Sequence, residues 1–166
     1  MRAILLGAAA LALAGAARAE EPIKPKLFRV SLGTYQARSA GTRSTLNLGY
    51  DLPPLEKGKK KSPLVYSAYL DTNSKKSGGV THSLTGIGLA ARSEGSGKKA
   101  DGTLYKGAGV GLYTVKAGTS RSRLGGKLFL GYERKEGVFA EAGYTLVPKV
   151  SGYDASGFGL GIGYRF

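Results

Sequence analysis

The sequence predicts an all-β domain, an eight-stranded antiparallel up-and-down transmembrane β-barrel. Two observations carry that prediction. Eight segments with two-residue alternation follow one another from residue 27 to residue 166, separated by turns rich in Gly, Ser, Pro and Lys. Within them one face is continuously apolar, while the other carries Gly, Ser, Asn and isolated charges. A third feature, a short apolar leader, sends the chain out of the cytoplasm.

The leader occupies 1–19. Met1-Arg2 gives a positive start, and 3–17 is an unbroken run of Ala, Leu, Ile and Gly. Ala17-Arg18-Ala19 then places small residues where a signal peptidase reads them, so cleavage is expected after Ala19. The run between Arg2 and Arg18 is about 15 residues, short of the roughly 20 a spanning helix needs. Residues 20–26, with Pro22 and Pro25, form a short periplasmic lead-in.

The barrel is expected over 27–166, with strands near 27–36, 43–51, 63–72, 80–91, 103–116, 122–133, 136–147 and 153–166. In the first, Phe28, Val30, Leu32 and Thr34 oppose Arg29, Ser31, Gly33 and Tyr35. The second sets Leu46, Leu48 and Tyr50 against Asn47, Gly49 and Asp51, and the third sets Leu64, Tyr66, Ala68 and Leu70 against Val65, Ser67, Tyr69 and Asp71. The sixth opposes Leu124, Gly126, Leu128, Leu130 and Tyr132 to Gly125, Lys127, Phe129 and Gly131; the seventh opposes Val138, Ala140, Ala142, Tyr144 and Leu146 to Phe139, Glu141, Gly143 and Thr145. In the last, Phe158, Leu160, Ile162, Tyr164 and Phe166 face away from four glycines and Arg165.

This polarity separates a membrane barrel from a soluble one. A soluble sandwich or lipocalin-like barrel hides its apolar face and shows Lys, Glu and Thr to water. Here the polar face is rich in glycine, which over the whole chain makes up 27 of 166 residues, or about 16% against a usual 7% or so. Rows of glycine weaken strands and need a structural reason. Inside a narrow barrel they make room for Tyr35, Tyr69, Tyr113, Phe129 and Phe139.

With the amino end on the periplasmic side, Phe28, Tyr50, Tyr66, Tyr132, Tyr164 and Phe166 all fall at one rim, an aromatic girdle built without Trp. The connections at 52–62 and 92–102 are then periplasmic and long, whereas such turns are usually short. The outer connections near 37–42, 73–79, 117–121 and 148–152 are compact.

Cysteine is absent, which excludes lipoprotein acylation, disulfides and thiolate metal sites; no cofactor or metal is expected. The net charge is +14, or about +12 once Arg2 and Arg18 are removed. For an exported chain the expected partners are anionic lipids and lipopolysaccharide, not nucleic acid.

The ending Gly159-Leu160-Gly161-Ile162-Gly163-Tyr164-Arg165-Phe166 resembles the carboxy-terminal signal of bacterial outer-membrane barrels: a final Phe, aromatic or apolar residues at every second position, and a glycine five residues back. Gly159 departs from the polar residue often found there. Over nearly all of the mature chain the pattern is similar to the small OmpA/OmpX-type barrels. The resemblance implies residence in the outer membrane and recognition of the last strand, through Gly161, Tyr164 and Phe166, by the barrel-assembly machinery. No peptidoglycan-binding domain is expected after the barrel.

Several residues are candidates for function. Lys127 and Glu141 face inward near mid-height, and Arg29, Asp51 and Arg165 are expected to cluster near the periplasmic end. They either line a narrow ion path or pair within a plugged interior, where a lone charge is costly. Lys75, Lys76, Lys116, Arg121, Arg123 and Lys149 are placed as outer loop residues, able to bind lipopolysaccharide phosphates or simply to be solvated. Further basic runs fall at 57–61 and 98–99. His82, the only histidine, would be needed for a lipid-modifying hydrolase, but Ser83 points to the opposite face of its strand and Glu94 falls in the following loop. Gly107-Ala108-Gly109-Val110-Gly111 lacks the Gly-Lys-Ser/Thr ending of a phosphate loop.

The function expected is structural or surface-interacting, without catalysis. Alternatives are a small channel or ligand-transport barrel, a lipid A-modifying enzyme, and a soluble periplasmic barrel.

Overall fold

The computed structural model describes residues 26–53, 64–77, 79–95 and 101–166. The leader at 1–19, most of the lead-in, and the basic runs at 57–61 and 98–99 lie outside these residues.

Eight strands close into one antiparallel barrel in chain order: β1 (Phe28–Ala37), β2 (Gly41–Asp51), β3 (Leu64–Ser77), β4 (Val80–Glu94), β5 (Gly102–Ala117), β6 (Thr119–Arg134), β7 (Val138–Leu146) and β8 (Gly157–Arg165). β1 and β8 complete the ring through pairs such as Val30↔Tyr164 and Leu32↔Ile162. At the terminal rim the backbone of Phe28 and Phe166 exchanges hydrogen bonds of 3.0 and 2.9 Å. Closure matters because hydrocarbon offers no partner to a free backbone N–H or C=O.

The alternation sets which way each side chain looks. Ile162, Leu128, Leu160 and Leu124 project from the outer wall, all more than half exposed, while Tyr35, Tyr69, Tyr113, Phe129 and Phe139 are buried in the lumen. An apolar wall running around the whole barrel is the lipid-facing surface of a transmembrane barrel. Its border opposite the termini is drawn by hydroxyls. Two residues beyond Leu32, Leu46, Leu70, Ile87, Leu112 and Leu124 on the same outward face stand Thr34, Ser44, Thr72, Thr85, Thr114 and Ser122. Neighbours in this belt pair in register, Thr34↔Ser44 and Thr85↔Thr114 among them, and Thr114 and Ser122 hydrogen-bond at 3.0 Å.

Several inward glycines lie where an aromatic ring would meet a side chain. A Cβ at Gly86 would run into the Tyr113 ring, and one at Gly107 into Phe129. At these two positions the absent side chain is the space a large neighbour occupies.

Two corrections concern the distal rim, opposite the termini. Lys75, Lys76, Lys116, Arg121 and Arg123 are not loop residues: they belong to β3, β5 and β6, and β3 and β6 extend past the expected ends. β2 pairs with β3 only as far as Ser44↔Ser74, and β7 meets β6 only from Gly126↔Leu146. β3 to β6 therefore rise beyond the barrel as a tall flap, turning over Gly118 (φ 76°) and Gly79 (φ 78°), backbone conformations that favour glycine. β8 is shorter than expected, because 153–156 belongs to a connection that folds over the mouth.

Candidate functional site

Among the described residues the lumen gathers charged, hydroxyl and aromatic side chains into contact. Near the terminal rim it holds a charge cluster. Arg92, among the most deeply buried side chains, lies 3.1 Å from Asp51 and 3.8 Å from Glu133. Arg165 approaches the same two carboxylates at 2.6 and 3.2 Å. Several of the Arg92 contacts are ion-pair contacts without aligned hydrogen bonds. Arg29 donates to Glu141 at 2.9 Å and to the Tyr105 hydroxyl at 3.0 Å, and Tyr105 donates to the same Glu141 oxygen at 2.9 Å.

At mid-height Lys127 donates to Asp71 at 3.0 Å, with its ammonium 3.8 Å from the centre of the Tyr69 ring. The Tyr69 and Tyr113 hydroxyls hydrogen-bond at 2.9 Å. Two small cavities, of about 60 and about 30 Å³, touch this layer, and both are lined in part by Lys127 and Asp71. Each has room for a few waters at most.

The distal mouth is covered by 147–156, the connection between β7 and β8. Tyr153 reaches across it, stacking on His82 of β4 at 5.3 Å and accepting a hydrogen bond from Arg43 of β2. Arg43 also donates to Asn73 at 3.0 Å. Below Tyr153, the Tyr35 hydroxyl donates to the Ala155 carbonyl at 2.8 Å. The cover is held by the Ser156 hydroxyl, which bridges the N–H and C=O of Val147, and by Ser156 N–H donating to Asp154 Oδ1, all at 3.0 Å. Desolvation raises the pKa of the Asp154 carboxyl, but the Ser156 hydrogen bonds, with Arg38 and Lys149 nearby, outweigh it and hold the value below the ordinary one.

The structure thus brings Asp51 and Arg165 into direct contact and joins Arg29 to Glu141. Lys127 pairs not with Glu141 but with Asp71, and Arg43, Arg92 and Glu133 complete the lumen. Alternation alone signals Asp71 and Glu133, which share the inward parity of their strands. Arg92 was missed because β4 runs past its expected end at 91.

The aromatic residues at the terminal rim form a partly contiguous set. Phe28 meets Tyr50 at 4.9 Å and stacks on Phe166 at 6.1 Å, which stacks on Tyr164 at 6.3 Å. Tyr66 and Tyr132 lie at the same rim on β3 and β6. At the distal rim Lys75, Lys76, Lys116, Arg121, Arg123 and Lys149 are exposed. His82 stacks against Tyr153 inside the mouth, while Ser83 points outward. Glu94 is the last residue of β4, not part of a loop, and lies 3.6 Å from Arg92 at the opposite end of the barrel. Among the described residues no group of acidic or histidine side chains could hold a metal ion.

An apolar outer wall around a packed polar lumen defines a small, closed, eight-stranded barrel of the transmembrane kind. No protein-family model matches the chain, and no curated protein matches it. Among solved structures it is similar to Neisserial surface protein A (NspA), with a TM-score of 0.62 at 17% identity, covering 84% of this chain and 96% of that one. It is also similar to the N-terminal β-barrel domain of Pseudomonas aeruginosa OprF, with a TM-score of 0.52 at 15% identity and coverage of 85% and 98%. At these identities the likeness is one of fold.

Proposed function

We propose that this chain is an integral outer-membrane protein, exported by a leader at 1–19, whose closed barrel serves envelope structure or surface interaction without catalysis. The single observation that carries this reading is the filled lumen: a charge cluster below, the Lys127–Asp71 pair in the middle and Tyr153 across the mouth. In this orientation the termini face the periplasm and the tall flap and the 147–156 cover face outward. The connections that follow β2 and β4 are then periplasmic, the second shorter than expected because β4 runs on to Glu94. Strand β8, with Gly161, Tyr164 and Phe166, presents the assembly signal, and Lys75, Lys76, Lys116, Arg121, Arg123 and Lys149 offer cations to lipopolysaccharide phosphates. The arrangement of His82 and Ser83 on opposite faces argues against a lipid-modifying hydrolase. Planar-bilayer recording of the pure protein tests the closed barrel: no reproducible unitary conductance is expected, and a steady one would establish a channel.

A further inference from the structure

Where β6 outlasts β7, the outer wall carries an open groove of about 550 Å³. β7 ends at Leu146 and the chain turns away into the 147–156 cover, leaving the outward side of β6 without a neighbour. Val110, Leu124 and Leu146 stand around it as apolar walls. Gly126 makes the dent: a Cβ there would meet only the Gly109 carbonyl oxygen, at 3.4 Å. Arg38, Lys149 and Asp154 form the upper lip. Arg38 lies 3.8 Å from Asp154 yet keeps 65% of its side chain exposed, so two cations and one carboxylate leave the lip net positive.

Depth decides what fits. Leu124 lies just inside the hydroxyl belt and Ser122 marks the belt itself, so the groove crosses from hydrocarbon into headgroups. An apolar trench at that level is filled by hydrocarbon, since water finds almost no polar partner along its walls. A chain lying in it places its own headgroup against Arg38 and Lys149, where a phosphate is favoured over a zwitterion.

We propose that this groove seats one acyl chain of lipid A, the phosphorylated glycolipid of the outer leaflet, with a phosphate held between Arg38 and Lys149. The proposal rests on the reading above that this rim faces outward.

The test is native mass spectrometry of the full chain, refolded in micelles holding equal amounts of lipid A and phosphatidylglycerol. One retained lipid A is expected. Arg38→Gln and Lys149→Gln, both at the surface, each lower its retention about fivefold. Gly126→Phe, which fills the dent, lowers it about tenfold. Ala108→Phe, a ring added elsewhere on the outer wall, leaves it unchanged. Equal retention by all variants, or phosphatidylglycerol held as well as lipid A, overturns the proposal. Labelling of Lys149→Cys by an impermeant thiol reagent separates the two levels of argument. Reaction only in permeabilised cells removes the outward orientation, whereas reaction on intact cells with unchanged lipid A retention removes the groove alone.

Discussion

Lys127 and Asp71 meet at 3.0 Å across the lumen, although β6 and β3 are not neighbours in the barrel. The pair ties opposite walls together at mid-height, and each member keeps the other from being a lone charge in a narrow space. Asp71→Asn or Lys127→Met alone is expected to cost about 3 kcal/mol, and the double substitution considerably less than the sum. Urea unfolding from vesicles checks this, and additive losses would mean that the two groups do not act as a pair.

Lipid exposure gives a second prediction with a depth dependence. Leu128 lies in the middle of the outer wall, whereas Leu104 pairs with Tyr132 at the aromatic rim. Leu128→Arg should cost about 2–4 kcal/mol and Leu104→Arg under about 1 kcal/mol. Folding equilibria in vesicles measure both, and equal costs would remove the depth assignment.

Glycine packing gives a third. Gly86→Ala places a methyl group against the Tyr113 ring and is expected to destabilise by about 1–3 kcal/mol. Pairing it with Tyr113→Leu should recover part of the loss in the same unfolding assay.

The cover gives the fourth. Leu84 is buried below His82 and Tyr153. A cysteine at Leu84 should react slowly with an impermeant thiol reagent, and at least about tenfold faster once Tyr153→Ala opens the mouth. Equal rates would show that Tyr153 covers nothing.

Acid should loosen the same cover. The Asp154 carboxyl is held below its ordinary pKa in the folded chain, so its contribution is present above the unfolded value and is lost as pH falls through the folded one. A lower protection factor for the Ser156 amide, measured against its intrinsic exchange rate at each pH, is therefore expected on acidification below about pH 4, and Asp154→Asn should abolish that dependence.

The sequence makes the barrel readable because alternation and lipid exposure are the same physical fact: Ile162 and Leu128 show their parity in any window that contains them. Strand ends were harder where polarity stopped reporting on structure. Lys75-Lys76 and Arg121-Ser122-Arg123 resemble turns in composition, yet they continue strands above the hydrocarbon, where charge carries no penalty. Partners inside the lumen were hardest. Parity places Lys127, Asp71 and Glu141 inside, but which carboxylate meets the lysine depends on how strand heights are staggered around the closed ring. The groove at Gly126 was equally hidden, since it exists only because β6 and β7 end at different heights.

The chain has no cysteine, so single cysteines on β6 report without background. A fluorophore placed in turn at Lys127, Leu128, Phe129 and Leu130 and challenged with brominated lipid measures which side chains touch hydrocarbon. Strong quenching at Leu128 and Leu130, with little at Lys127 and Phe129, is the predicted result. Quenching at Lys127 and Phe129 instead, or the same at all four, would contradict a barrel that turns its apolar face to lipid.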